Sequence, residues 1–108
     1  MLKTLLGAAA LTAIMAASAF AADDKPAIVF DIGGKFDKSF NESMFNGSEK
    51  FKKESGIAYG EFEIANEAQR EQAIRNFAEK GNSPIIAAGF AQAEALGKVA
   101  KEYPDLKF

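Results

Sequence analysis

The chain has 108 residues and carries 13 Lys and Arg against 15 Asp and Glu, which gives a formal net charge of -2. It contains no Cys, His or Trp, so disulfides, thiolate nucleophiles, cysteine or histidine metal sites and histidine-based triads are excluded within these residues. The acidity and scattered basic residues argue against nucleic-acid binding, because that affinity comes mainly from Lys and Arg on phosphates. We read the densest basic group, Lys50, Lys52 and Lys53, as the solvated face of a helix.

Residues 1–21 have the pattern of a secretory signal peptide. Lys3 supplies a positive start, residues 5–17 are apolar, and Ala19-Phe20-Ala21 fits a small-x-small cleavage site. The apolar run is shorter than the ~20 residues that a membrane span needs. We therefore expect cleavage after Ala21 and a periplasmic chain of residues 22–108. That chain would carry no lipid anchor, because the sequence has no cysteine to acylate.

The first half of the exported part predicts a strand followed by a helix. Residues 27–30 form a continuous apolar run, which is typical of a strand buried on both faces. Ser39 is a candidate N-cap, with Glu42 at the capping-box spacing. The helix is expected to end near Glu54 or Ser55, with Gly56 just beyond it. Its predicted buried face, which comes close to the sheet at Gly47 and Ser48, contains Phe40, Met44, Gly47 and Phe51.

The second half repeats this alternation. Residues 57–64 predict an edge strand, and Asn66 caps a second helix with Gln69 at the capping-box position. Residues 85–88 predict a short buried strand, 91–103 a third helix, and 106–108 the opening of a fourth strand. The predicted buried stripe of the second helix is Ala73, Ile74, Phe77 and Ala78.

Alternating strands and helices imply an α/β fold with a Rossmann-like parallel sheet and right-handed crossovers. The flavodoxin-like strand order, 2-1-3-4, places the topological switch point between strands 1 and 3. Ligands of such sheets bind beyond the carboxyl ends of the strands at this point.

Two unusual connections meet at that switch point. The first is residues 31–41, which follow strand 1, and the second is Gly89-Phe90, which follows strand 3. Glycines let a ligand approach the main chain, carboxylate and amide groups hydrogen-bond to it, and phenylalanines offer flat apolar faces. The combination suits a small polar ligand such as a sugar or a nucleobase. The candidate ligand-binding residues are Asp31, Gly33, Gly34, Phe40, Asn41, Gly89 and Phe90.

Each of these residue types also has a purely structural interpretation. Asp31 could cap the loop after its strand, and Ser39 is first of all an N-cap. Phe40 could belong to the core, while Phe36 could be an exposed loop residue or a packing plug. Asp37 could hold the loop through backbone hydrogen bonds.

The residues after strand 1 also resemble a known family signature. Asp31-x-Gly33-Gly34-x-x-Asp37-x-Ser39-Phe40-Asn41, followed by Gly47, is similar to the N-terminal signature of the basic membrane protein family. These are substrate-binding proteins of ABC importers, related to purine-nucleoside receptors. The later Gly89-Phe90 pair and the segment 101–108 resemble the family too.

The resemblance implies a two-lobed periplasmic binding protein that closes on its ligand without catalysis, needs no cofactor or metal, and delivers the ligand to a membrane permease. Purine nucleosides or a related small polar ligand would be the ligand class, and with a nucleoside Phe40 would stack on the base and Asp31 would bind a polar edge of the ligand. Asn41, Gly89 and Phe90 would shape the same wall. Family members are longer, so residues 22–108 correspond to part of the N-terminal lobe, and we expect the sequence to be a fragment.

Two other functions remain open from the sequence. Asp-Ile-Gly-Gly after a first strand is similar to the phosphate-binding start of sugar kinases and actin-like ATPases, although a hairpin rather than a helix normally follows it there. A ligand-sensing module that reports to a receptor is the other alternative.

Overall fold

Residues 24–108 are described in this computed structural model, and their central element is a three-stranded parallel sheet. Its strands are β1 (Ala27–Phe30), β2 (Gly60–Glu63) and β3 (Ile85–Ala87), in the order β2-β1-β3. The predicted α/β class and flavodoxin-like order are confirmed for these strands, and β2 lies at the sheet edge as expected. The predicted signal peptide, residues 1–21, lies outside the described residues.

Three helices connect and follow the strands. They are α1 (Phe40–Ser55), α2 (Gln69–Glu79) and α3 (Ala93–Glu102), and a 3-10 turn at Phe90–Gln92 precedes α3. All three predicted helices are present, but α3 starts later than residue 91 because the chain first makes that turn. Gly56 takes a left-handed conformation at φ 73° and donates its N–H to Lys52 O at 2.9 Å, as expected of a residue just past a helix end.

One face of the sheet carries the main core. Val29 and Ile85 from the strands are fully buried against Ile74 of α2 and Val99 of α3. The predicted stripe of α2 is confirmed, with Ala73, Ile74 and Ala78 buried and Phe77 packed against the same cluster. Because β-strand side chains alternate, Ile28 and Phe30 point to the opposite face.

Helix α1 covers that opposite face, and its buried side differs from the prediction. Phe40 is 75% exposed, and a Cβ added at Gly47 would meet no atom within 4 Å, so neither residue packs on the sheet. The buried residues of α1 are instead Asn41 and Ser48. The predicted Met44, Ser48 and Phe51 do lie on the sheet side of α1, whereas Asn41 takes the place expected of Phe40 because it hydrogen-bonds to the main chain of Asp31. An apolar groove remains beside α1, and its lining includes Ile28, Met44, Phe51 and Ile86.

The N-terminal ends of α1 and α2 are capped differently from the sequence prediction. Ser39 occupies the N-cap position of α1, but its side chain makes no capping hydrogen bond. Helix α2 starts at Gln69 rather than directly after Asn66, and Asn66 accepts the Gln69 N–H through its backbone carbonyl. Gln69 Oε1 reaches back to the N–H groups of Ala65 and Asn66, as a capping-box residue does.

The predicted fourth strand is not formed at residues 106–108. The segment nevertheless runs beside β3, because Ile85 donates its N–H to Lys107 O at 2.9 Å. Phe108 and Leu106 pack against the main core from this position. Within residues 24–108 none of the helices is long and apolar enough to cross a membrane.

Candidate functional site: a groove at the carboxyl ends of β1 and β3

The β1–α1 loop, residues 31–39, is held by its own carboxylates. Asp37 Oδ1 accepts the backbone N–H groups of Ser39 at 2.8 Å and Glu42 at 3.0 Å, and Oδ2 accepts that of Asn41 at 3.3 Å. Asp37 therefore caps α1 in place of Ser39. Glu42 accepts the N–H of Lys38, which has a left-handed φ of 56°.

These hydrogen bonds shift the ionisation of the capping carboxyl. Partial desolvation acts to raise the pKa of Asp37, but hydrogen bonds from the backbone of Glu42, Ser39 and Asn41 outweigh it and hold the pKa below its ordinary value. Asp37 therefore carries its negative charge at neutral pH beside the first turn of α1, where the helix dipole favours an anion.

The middle of the loop is attached to β2. Glu63 Oε1 accepts the Lys35 N–H at 2.9 Å, and the Lys35 ammonium pairs with Glu61, which raises the pKa of Lys35. Gly34 has φ 73°, and a Cβ there would lie 2.8 Å from Glu63 Oε1. The left-handed backbone at position 34 favours glycine, and the Glu63 side chain would have to shift to admit a Cβ there.

Asn41 joins the start of α1 to the end of β1. It is 3% exposed, accepts the Asp31 N–H at 3.1 Å and donates to the Asp31 carbonyl at 3.0 Å. The main chain at Gly33, with φ 113°, lies next to the Asn41 side chain, since a Cβ there would be 3.8 Å from Asn41 Nδ2. Asn41 therefore fixes the main chain on which the Asp31 carboxylate is mounted.

The Asp31 carboxylate contacts three parts of the fold: the β1–α1 loop, helix α2 and the segment after β3. Its Oδ1 accepts the Ile32 N–H at 2.9 Å and receives two hydrogen bonds from Arg70 of α2, from Nε at 3.1 Å and from a terminal nitrogen at 3.0 Å. Gly89, which follows β3, lies against the other oxygen, because a Cβ at Gly89 would be 3.0 Å from Asp31 Oδ2. The ends of β1 and β3 thus meet at Asp31 and Gly89, as the switch-point prediction requires.

A groove of about 340 Å³ opens beside this junction. Phe40 at the start of α1 and Phe90 after β3 both line it, and they are 75% and 96% exposed. Exposure of this kind excludes the core interpretation of Phe40. The remaining lining residues are Ala87, Gly89, Gln92, Ala93 and Leu96.

Gln92 lines the groove with a buried side chain. It is 1% exposed, and its Nε2 donates to the carbonyls of Val29 at 3.0 Å and Ala88 at 2.7 Å. Its Oε1 is buried and accepts no hydrogen bond from the described residues. One amide group therefore bridges the carboxyl ends of β1 and β3.

Phe36 lies outside the groove. Its ring contacts Phe45 of α1 edge to face at 5.3 Å between centroids, and Phe45 in turn contacts Phe30 at 6.4 Å. Phe36 is still largely exposed. It packs the loop onto α1 on the β2 side, which agrees with its interpretation as a packing plug.

The predicted site residues therefore divide into two groups. Phe40, Gly89 and Phe90 line the groove, and Asp31, Gly33 and Asn41 form the junction behind it. Gly34 lies on the β2 side. Arg70, Gln92 and Glu63 were not predicted, since an arginine, a glutamine and a glutamate at those positions look like solvated helix or edge-strand residues. Within residues 24–108 no group of three metal-ligating side chains is brought together.

In parallel α/β sheets, ligands bind beyond the carboxyl ends of the strands, which is where this groove lies. A family model described as ABC transporter substrate-binding protein PnrA-like, the Bmp family, matches residues 25–108. The chain therefore belongs to the Bmp family of ABC transporter substrate-binding proteins.

Relatives and solved structures agree with this assignment. The chain is 38% identical over 88 residues to an uncharacterized lipoprotein of Pyrococcus furiosus, and 34% identical over 85 residues to one of Pyrococcus abyssi. Each match covers 78% of this chain and 21% of the relative, so the chain spans about a fifth of the length of these curated relatives.

Among solved structures, a solute-binding protein of an ABC transporter system from Aeropyrum pernix is 29% identical with a TM-score of 0.72, and 78% of this chain covers 23% of it. The corresponding protein from Conexibacter woesei is 26% identical with a TM-score of 0.67, and 76% of this chain covers 27% of it. These neighbours are solute-binding proteins with a periplasmic-binding-protein fold, as predicted.

Proposed function

We propose that residues 22–108 form part of the N-terminal lobe of a substrate-binding protein that serves an ABC importer and binds purine nucleosides without catalysis. The observation that carries the proposal is the pair of exposed rings, Phe40 and Phe90, on one groove beside the Asp31 carboxylate. Two aromatic faces suit a planar base, and a carboxylate suits the hydroxyl donors of a sugar. The partner would be a membrane permease.

The hydrogen bonding of the glycine loop favours an uncharged ligand over a nucleotide. Phosphate-binding loops present free backbone N–H groups and a free lysine to the anion. Here the N–H groups of Ile32, Lys35, Ser39 and others are already bonded to carboxylates, and the Lys35 ammonium pairs with Glu61. Helix α1 follows the loop directly, where an actin-like ATPase would have a hairpin. The kinase and ATPase interpretation is therefore the weaker one, whereas ligand sensing uses the same groove and remains the second candidate.

The proposal also includes export to the periplasm with the signal peptide removed after Ala21. The Pyrococcus relatives are named lipoproteins. The present sequence has no Cys, so these 108 residues contain no cysteine that could be acylated. Release into the periplasm after cleavage is our proposal for this chain.

Nuclear magnetic resonance titration of the isotope-labelled 108-residue chain tests the ligand class. Millimolar inosine, adenosine or guanosine is expected to shift the amide signals of Phe40, Gly89 and Phe90, whereas glucose and ATP with magnesium are not. Shifts with ATP and magnesium but not with nucleosides would contradict the proposal.

A Phe40→Ala variant tests the stacking role. Binding is expected to weaken by ~1–3 kcal/mol, the scale of one base–aromatic stack, with an unchanged free energy of unfolding because the ring is exposed. Phe36→Ala is the matched control, since Phe36 lies four residues before Phe40, is also exposed and lies outside the groove. Equal affinities of the two variants would remove Phe40 from the site.

A further inference from the structure

Arg70 makes a long-range side-chain contact with the candidate site. It lies in the first turn of α2, 39 residues from Asp31 in sequence, and reaches the end of β1 with a side chain that is only 13% exposed. Both of its hydrogen bonds go to the same atom, Asp31 Oδ1. Its other contact is a 3.9 Å ion pair with Glu67.

The two oxygens of Asp31 are consequently in different states. Oδ1 accepts three hydrogen bonds, two from Arg70 and one from the Ile32 N–H. Oδ2 receives none from residues 24–108 in the hydrogen bonds of the structure, and it faces Gly89, which lines the groove. A carboxylate accepts through both oxygens, so the acceptor of Asp31 that has no hydrogen bond from residues 24–108 is the oxygen beside Gly89.

We propose that Arg70 is a positioning residue for ligand recognition. It occupies Asp31 Oδ1 so that Oδ2 stays directed past Gly89 towards a hydroxyl donor of the ligand. The inference rests on the proposed function, because it assigns the hydroxyl-bearing part of the ligand, the sugar of a nucleoside, to the Asp31 side of the groove. Without Arg70, the carboxylate plane could turn about the Cβ–Cγ bond, and neither oxygen would be held beside Gly89.

The alternative is that Arg70 only ties α2 to β1. A purely structural ion pair would affect all ligands equally, whereas a positioning residue affects those that donate a hydroxyl to Asp31. Arg75 supplies a matched control, because it lies on the same helix and forms ion pairs with Glu71 and Glu102 away from Asp31.

The experiment compares the wild-type 108-residue chain with Arg70→Met, Arg70→Lys and Arg75→Met. Without ligand, Arg70→Met is expected to shift the amide signals of Ile32 and Gly89, and Arg75→Met is expected to leave both in place. Unchanged Ile32 and Gly89 signals in Arg70→Met would overturn the positioning role.

With ligand, inosine and hypoxanthine, the same base without the sugar, are titrated into each variant. Arg70→Met is expected to weaken inosine binding by about fivefold, the effect of one hydrogen bond, and to leave binding of hypoxanthine unchanged. Arg70→Lys, which keeps the charge but not the fork of donors, is expected to recover part of the inosine affinity. Equal loss for both ligands, or loss for neither, would overturn the inference.

The experiments distinguish failure of the nucleoside proposal from failure of the positioning role of Arg70. If no nucleoside shifts any signal of the wild-type chain, the ligand class is overturned, and the ligand-free spectra still decide whether Arg70 orients Asp31. If nucleosides bind and the two ligands respond alike to Arg70→Met, the ligand class stands and the positioning role is wrong.

Discussion

The two connections that meet at the groove are each anchored by one buried amide side chain, but the two anchors are satisfied to different degrees. In the β1–α1 loop, Asn41 uses its oxygen and its nitrogen on the main chain of Asp31. In the β3–α3 connection, Gln92 donates twice through Nε2, while its buried Oε1 has no partner among the described residues.

We infer that a buried amide side chain stabilises a connection more when both its oxygen and its nitrogen are hydrogen-bonded. An unpaired buried acceptor loses its hydration without compensation. The β1–α1 loop is additionally braced by Asp37, Glu42 and Glu63. The β3–α3 connection depends on Gln92 and on a glycine conformation, and carries the more exposed ring, Phe90.

The largest expected effect comes from removing the fully paired anchor. Asn41→Leu leaves the Asp31 N–H without its acceptor and removes a second hydrogen bond, so we expect a loss of about 2–4 kcal/mol in the free energy of unfolding. Gln92→Leu should cost only about 1 kcal/mol: the Ala88 carbonyl loses its Nε2 donor, but the buried unpaired Oε1 disappears with the amide and Val29 O keeps the Ala88 N–H. Urea unfolding measures both.

Asn46→Leu is the control for the first substitution, since Asn46 is exposed on the same helix. Equal destabilisation by Asn41→Leu and Gln92→Leu would show that the pairing of the amide atoms does not distinguish the two connections.

Gly89→Ala tests the β3 side of the comparison. The residue adopts φ 99° and ψ 144°, a region essentially restricted to glycine, and a Cβ would press on Asp31 Oδ2 at 3.0 Å. We expect destabilisation of about 1–3 kcal/mol. Gly47→Ala in α1 is the opposite control, because nothing lies within 4 Å of the added Cβ and alanine is favoured over glycine in a helix by about 1 kcal/mol. If both variants move the melting temperature in the same direction, the backbone argument is wrong.

The smallest effect concerns the β1 side and depends on pH. The pKa of Asp37 is lower in the folded chain than its ordinary value of 3.8. Its contribution to stability is therefore fully present above that value and is lost as the pH falls through the folded-state pKa. Between pH 6 and pH 3, the wild-type chain should lose more unfolding free energy than Asp37→Asn. Parallel stability curves of the two proteins would contradict this.

The sequence predicted the order of elements and the place of the groove because both follow from apolar periodicity and parallel-sheet topology. It also located the end of α1 at Gly56, where a single residue type decides the conformation. The capping residue was wrong because Asp37 and Ser39 are both good caps two positions apart, and the left-handed Lys38 decides between them.

Contacts between residues that are far apart in the chain could not be predicted from the sequence. The burial of Asn41 depends on the main chain of Asp31, and the Arg70 contact joins residues 39 positions apart. In a sequence, such an arginine has the same pattern as one on a solvated helix. Conversely, Phe40 was assigned to the core as one alternative because it shares an apolar helical face with Met44 and Phe51.

The internal bracing of the β1–α1 loop also bears on the entropy of binding. Fixing the backbone of one residue costs about 1–2 kcal/mol in conformational entropy at room temperature. In this loop the side chains of Asp37, Glu42 and Glu63 already restrict the backbone before a ligand arrives. A ligand that enters the groove therefore meets a preorganised wall, and less of its interaction energy is offset by ordering the protein.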